Sequence, residues 1–157
     1  MWGVDRDAGG YRRSRFNILT DDDIDFIRTE IKAINADESK FVFNEGYQTG
    51  YIDKFDIIAV RGDILPDPYS IHPRDRMSVR AVLAHEYYGH HTYRGTTAQK
   101  DSWNDEFRAS YTAAKIAPGL SDEDRVYLLL DAIQRAKEAG ATIKYNSFMR
   151  RILYGIS

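Results

Sequence analysis

Isoleucines at helical spacing dominate the first part of the hydrophobic pattern. They recur every three or four residues, the period of an amphipathic α-helix, at Ile24, Ile27, Ile31 and Ile34. Thr20 precedes them as an N-cap, and the aspartates at 21–23 fill the first turn, where the helix dipole favours acids. The pattern predicts a first helix from residue 21 to about residue 36, after an irregular lead-in over residues 1–19.

Short β-rich runs separated by Asn, Gly and Asp then replace the helical spacing. The runs are Phe41–Phe43, Tyr47–Ile52 and Phe55–Val60. Their length and spacing predict a small antiparallel sheet.

The rest of the chain predicts helices. A central helix is expected to begin at His72–Pro73 and to reach His85, with a buried face that includes Met77, Ala81, Val82 and Ala84. Three further helices begin at the capping residues Ser102, Ser121 and Asn146. The helix after Ser121 carries an apolar stripe at Val126, Leu129, Leu130 and Ile133. The fold class predicted is α+β, with an N-terminal helix, a small sheet and a helical half in one domain over residues 1–157.

Composition limits the classes of function and the kinds of metal ligand that the chain can have. A net charge of -2 with interspersed acids and bases argues against nucleic-acid binding. The chain has no cysteine, so a metal site has to use His, Asp, Glu or water. There is no apolar run of membrane-spanning length and no signal-peptide core, so the expectation is a cytoplasmic protein without a membrane partner.

Three of the four histidines fall in one short stretch, as His85, His90 and His91, with Glu86 following the first. A histidine, a neighbouring glutamate and a histidine about one turn later can present two imidazoles and a carboxylate to one metal ion. His90 is five residues from His85, however, which on an ideal α-helix leaves the rings roughly 140° apart. A π-bulge near Gly89 would bring His90 into place, whereas unwinding there would bring in His91. The second histidine ligand is open at this point.

Two motifs resemble those of a known family. HEYYGH, at His85–His90, resembles the HExxGH helix of the dipeptidyl peptidase III family of zinc exopeptidases. In that family a second helix carries EExRA, which DEFRA at Asp105–Ala109 matches with Asp in the first position. The resemblance covers these two segments only, since that family's chains are several times longer. It implies a zincin-like fold of the gluzincin type and a Zn²⁺ site with Glu86 as general base and His85, His90 and Glu106 as ligands.

The chemistry of such a metal site suggests roles for neighbouring residues. Asp105 would accept the free N–H of a ligand imidazole, and Arg108 would hold that carboxylate or the carboxylate of Glu106. Candidates for stabilising an oxyanion are His91, Tyr93 and Tyr111. Three protein ligands would leave the fourth zinc position to a water that Glu86 can deprotonate.

The expected function is a small zinc metallopeptidase of the HExxxH type, acting on a peptide or protein substrate. In zincin-like folds the edge strand beside the site holds an extended peptide, and Phe55–Val60 is the candidate strand. One alternative is a non-catalytic, metal-stabilised domain of a larger phage, mobile-element or toxin-type protein, for which a fourth ligand such as His91 would argue. Another is a zinc hydrolase acting on a non-peptide amide or ester.

Overall fold

Helices and a small sheet give the chain an α+β architecture. The computed structural model describes residues 14–67, 69–95 and 102–155, so residues 1–13 of the expected lead-in lie outside the described residues. The helices are α1 (Asp21–Ala33), α2 (Pro73–Arg76), α3 (Val79–Ala84), the π-helix (His85–His91), α4 (Trp103–Ile116), α5 (Asp122–Glu138) and α6 (Ser147–Tyr154). The strands are β1 (Phe41–Phe43), β2 (Gly50–Ile52) and β3 (Ile57–Val60). Two 3-10 turns, Glu38–Lys40 and Gly62–Ile64, flank the sheet.

Side-chain caps begin the longer helices where the sequence predicts them. Thr20 accepts the N–H of Asp23, and the Asp23 carboxylate accepts the N–H of Thr20 in return. The same kind of bond, to the N–H three residues further on, caps α4, α5 and α6 through Ser102, Ser121 and Asn146. The four predicted helix starts are therefore confirmed, although α1 ends at Ala33, before the predicted residue 36.

The sheet is mixed, so the prediction of an antiparallel sheet is wrong. β2 and β3 form an antiparallel hairpin, and β1 pairs in parallel with the far side of β3, giving the order β1-β3-β2. Strands of three or four residues carry too little alternation to specify their direction, which tertiary packing sets instead. The predicted edge strand Phe55–Val60 is also wrong, since β3 is the central strand and is almost fully buried. The edge of the sheet that faces the helical half is β2.

The predicted central helix is divided in two. Pro73 opens α2, and the chain then becomes extended at Met77, which has φ -61° and ψ 142°. Ser78 caps a new helix, α3, by accepting the N–H of Ala81. The break lets α2 pack on α5 while α3 packs on α1. Only α3 continues into the motif.

α5 buries a different face from the one its apolar stripe predicts. Leu129 is buried as predicted, but Val126, Leu130 and Ile133 are only partly buried. The fully buried positions are Leu128, Leu129, Asp131, Ala132 and Ala136. The face that packs on α4 therefore includes a carboxylate, Asp131, which is 1% exposed.

Among the described residues, no helix combines the length and apolar character needed to cross a membrane.

Candidate metal centre

The motif residues form a π-helix that continues α3 without interruption. A π-helix bonds each N–H to the carbonyl five residues earlier, as Thr92 does to Tyr87 at 2.9 Å. Residues five apart therefore lie above one another, and the ring centroids of His85 and His90 are 4.8 Å apart. The predicted π distortion is confirmed, and it extends over the whole of His85–His91 rather than one residue.

Gly89 allows the next helix to approach this backbone closely. A Cβ at Gly89 would lie 2.6 Å from the carbonyl oxygen of Ala109 and 2.7 Å from its Cα, so any side chain there would push α4 away. Arg108 closes the contact by donating from Nη1 to the Gly89 carbonyl at 2.8 Å. The packing brings Glu106, three residues before Ala109 on α4, to the two histidines.

Three side-chain atoms converge where the π-helix meets α4. His85 Nε2 and His90 Nε2 are 3.1 Å apart, and Glu106 Oε1 lies 2.9 Å from the first and 3.2 Å from the second. Tetrahedral zinc with bonds of about 2.0–2.1 Å has ligand atoms roughly 3.3–3.4 Å apart. The triangle is thus close in size to one face of such a tetrahedron, and the three groups could hold a metal ion.

A buried hydrogen-bond network sets the tautomer of His85. Ser110 donates its hydroxyl proton to Asp131 Oδ2 at 2.6 Å, so its oxygen can only accept from His85 Nδ1, 2.7 Å away. This assignment places the proton of His85 on Nδ1 and leaves the Nε2 lone pair directed at the triangle. Arg135 donates from Nε to the same carboxylate oxygen at 2.9 Å and keeps Asp131 in place.

Asp105 lies beside the other ring nitrogen of His90. Its Oδ2 lies 3.5 Å from His90 Nδ1, and its Oδ1 accepts from Arg108 Nη2 at 2.8 Å. The structure thus places Asp105 and Arg108 where the sequence predicted them, with Arg108 on Asp105 rather than on Glu106. The backbone N–H of Asp105 donates to Ser102 Oγ in the cap of α4, which leaves the Asp105 carboxylate facing His90 and Arg108.

The triangle attracts positive charge. Burial lowers the pKa of His90, but its hydrogen bond to Glu106 and the charges of Glu86, Glu106 and Asp105 outweigh burial and raise the pKa to about 9. Burial raises the pKa of Glu106, yet its hydrogen bonds to His85 and His90 bring that pKa well below its usual range. In the metal-free protein a proton on His90 therefore relieves the convergence of lone pairs, and a bound cation would replace it.

Glu86 lies beside the triangle and against the edge of the sheet. Its Oε1 accepts the backbone N–H of Tyr51, in β2, at 3.1 Å. Burial raises the pKa of Glu86, while the neighbouring His85 and His90 act in the opposite direction. A cleft of about 650 Å³ opens over Glu86 and the triangle, between β2 on one side and α2, α4 and α5 on the other. The carboxylate is placed to exchange a proton with a molecule in this cleft.

The three candidates for oxyanion stabilisation are separated by the fold. His91 is 6% exposed and points away from the triangle, with Nδ1 2.8 Å from Asp56 Oδ1. Tyr111 turns toward α6, where its hydroxyl accepts from Asn146 Nδ2 at 2.8 Å. Tyr93, the third of them, borders the cleft. Of the two adjacent histidines, His90 joins the triangle and His91 does not.

The sequence reasoning missed Ser110, Asp131 and Arg135. Ser110 lies four residues after Glu106, so it shares a face of α4 with that glutamate. Asp131 interrupts an otherwise apolar run from Leu128 to Ile133, and a lone carboxylate in such a run is a signal of a buried polar contact. Arg135 follows one turn later on α5 and lines the cleft.

Removing the hydroxyl of Ser110 is expected to weaken zinc binding. In Ser110→Ala the Nδ1–H of His85 loses its acceptor, and loss of such a partner costs about 10- to 100-fold in metal affinity. Competition with a chromophoric chelator measures the effect, and Ser39→Ala, at an exposed serine, is the matched control. An unchanged affinity in Ser110→Ala would contradict the role given to the Ser110–Asp131 network.

Comparisons of the chain with protein-family models, with curated proteins and with solved structures find no match. The geometry of the described residues and the chemistry of the two motifs are therefore what indicates a function.

Proposed function

We propose that the protein is a zinc-dependent metallopeptidase whose metal is held by His85, His90 and Glu106. The observation that carries the proposal is the triangle of ligand atoms, 2.9–3.2 Å apart, with the His85 lone pair directed into it by Ser110. Two imidazoles and a carboxylate, in a chain without cysteine, are a donor set that suits zinc. The motif pair HEYYGH and DEFRA, which resembles that of the dipeptidyl peptidase III family, supports the same assignment.

A set of three candidate ligands among the described residues favours catalysis over a purely structural role. Structural zinc sites are closed by four protein ligands, whereas catalytic sites keep one position for water or substrate. The residue next to the ligands that could have closed this site, His91, is bound to Asp56 instead. The fourth position would face the cleft that Glu86 also lines.

Zinc at this site would lower the pKa of a coordinated water toward about 7 and polarise a substrate carbonyl. Glu86 would take the proton on Oε2, because Oε1 is engaged by the N–H of Tyr51, and would pass it to the leaving amine. Two further residues border the same cleft, Tyr93 and Arg135, and Arg135 Nη1 lies 3.8 Å from Glu106 Oε1. They would stabilise negative charge on the carbonyl oxygen.

The outer edge of β2 is the part of the cleft best suited to an extended peptide. The N–H of Tyr51, in β2, is engaged by Glu86, and the N–H of Thr49, just before the strand, is engaged by Asp63. A peptide lying along β2 would therefore donate its N–H groups to the outward carbonyls of the strand, and its own carbonyls would accept no N–H from β2. This is the basis for naming a peptide bond as the substrate.

Metal analysis combined with an activity assay tests the proposal. We expect one zinc per chain, hydrolysis of an unstructured peptide, loss of hydrolysis on chelation and its recovery when zinc is added back. An assay of a non-peptide amide and an ester of similar size in parallel tests the choice of substrate. A protein without stoichiometric zinc, or one whose hydrolysis persists after the metal is removed, would overturn the proposal.

A further inference from the structure

The π-helix aligns a second pair of residues besides the two histidine ligands. Glu86 and His91 are also five residues apart, so they share one face of the helix, and that face meets the β2–β3 hairpin. Glu86 accepts the backbone N–H of Tyr51, and His91 Nδ1 lies 2.8 Å from Asp56 Oδ1, in the turn between β2 and β3. The hairpin is thus bound to the π-helix at two points, one at each end of the helix.

Tyr51 joins the two points. Its N–H goes to Glu86 Oε1 at 3.1 Å, and its hydroxyl donates to Asp56 Oδ1 at 2.8 Å. The edge of its ring also contacts His91, with centroids 5.9 Å apart. Tyr51 therefore links the two points, because its hydroxyl binds Asp56 and its backbone N–H binds the carboxylate of Glu86.

Asp56 gathers groups from several elements at one carboxylate. Besides Tyr51 and His91, it binds Lys40 Nζ at 3.0 Å, and Arg94 Nε lies 3.6 Å away. Its backbone has φ +53°, in the left-handed region that non-glycine residues seldom adopt and that aspartate tolerates better than most. The chain thus accepts an unfavourable backbone conformation at the position from which this side chain reaches all four groups.

We propose that Asp56, His91 and the hydroxyl of Tyr51 are positioning residues for Glu86: they fix β2 against the π-helix, and the N–H of Tyr51 then orients the Glu86 carboxylate. β2 has three residues and a sheet partner on one side only, so it needs this attachment. The inference rests on the proposed function only in taking Glu86 as the base. It gives His91 a role other than metal ligation or oxyanion stabilisation.

Asp56→Gly and Tyr51→Phe test this inference. Glycine adopts the left-handed conformation without strain, so Asp56→Gly removes the carboxylate and leaves the turn intact. Tyr51→Phe removes the hydroxyl alone. Asn35→Gly is the matched control, because Asn35 has φ +56° and is exposed at the end of α1.

Amide hydrogen exchange followed by NMR is the first readout, because it does not depend on activity. In Asp56→Gly and Tyr51→Phe the amide at position 51 should exchange about tenfold faster than in the unaltered protein, as expected when one hydrogen-bonded contact is weakened. The amides of α5 and the zinc affinity should stay within about threefold. For peptide hydrolysis we expect kcat to fall about 10- to 100-fold with little change in KM, because a misplaced base affects the reaction step more than binding.

Hydrogen exchange of the amide at position 51 distinguishes a failure of this inference from a failure of the proposed function. If its amide exchanges no faster in Asp56→Gly than in Asn35→Gly, the positioning role is wrong, whatever the protein hydrolyses. If exchange rises but kcat is unaltered in a zinc-loaded, active protein, the attachment does not serve the base and the inference also fails. An unaltered protein without zinc or hydrolysis would overturn the proposed function alone, since the exchange result still reports on the link between Asp56 and Glu86.

Discussion

Glu86→Gln is expected to abolish nearly all peptide hydrolysis and to leave the metal in place. Glutamine has the size of glutamate and its carbonyl oxygen can still accept the N–H of Tyr51, so the π-helix and β2 should keep their contact. It cannot take a proton at neutral pH, and general-base catalysis contributes about 10²- to 10⁴-fold. We therefore expect kcat to fall by about three orders of magnitude, measured beside zinc content and melting temperature.

Glu45→Gln is the matched control for this substitution. Glu45 is exposed in the loop before β2, so the same chemical change there should leave kcat, zinc content and stability as they are. If Glu86→Gln keeps its zinc and its stability and still hydrolyses peptide at the original rate, Glu86 is not the base. The structural alternative, a metal-stabilised domain without activity of its own, would be the better account if the unaltered protein binds zinc and hydrolyses no peptide.

Helix starts could be predicted from the sequence because capping is a local interaction. Thr20, Ser102, Ser121 and Asn146 each bind the N–H three residues later, so the four residues of the cap contain the whole signal. The direction of β1 could not be predicted in this way. Its partner β3 follows it by more than a dozen residues and first forms a hairpin with β2, so the parallel pairing depends on packing between distant parts of the chain.

The candidate site also combines local features that the sequence predicts with contacts that depend on packing between distant parts of the chain. The spacing of His85 and His90 predicted a π distortion, because only that backbone makes residues five apart neighbours. Ser110 and Asp131, which direct the His85 lone pair, sit on two different helices and are brought together only by the packing of α4 on α5. Helix geometry alone left the choice between His90 and His91 open, and only the resemblance favoured His90; the contact that holds His91 is with Asp56, which lies 35 residues away.

His90→Ala and His91→Gln are adjacent substitutions, and we expect only the first to weaken zinc binding. Zinc binding is worth about 10–16 kcal/mol in sites with four protein ligands, so one ligand contributes roughly 2.5–4 kcal/mol. Loss of His90 from the triangle should therefore weaken zinc affinity by roughly 10²- to 10³-fold. A competing chelator measures the affinity, and hydrolysis should fall in step with zinc occupancy.

His91→Gln should bind zinc within about threefold of the original protein, because its contacts are with Asp56 and Tyr87 rather than with the triangle. Its cost should appear in stability, at about 1–3 kcal/mol, since the substitution disturbs a buried partner of a carboxylate. It should also appear as a lower kcat, since His91 helps to position Glu86. Thermal unfolding of the metal-free protein separates the effect on stability from metal binding. If His91→Gln loses zinc and His90→Ala retains it, the π-helical register is wrong and the helix unwinds at Gly89. If neither substitution lowers the affinity, the zinc is bound elsewhere and the triangle of His85, His90 and Glu106 is not the metal site.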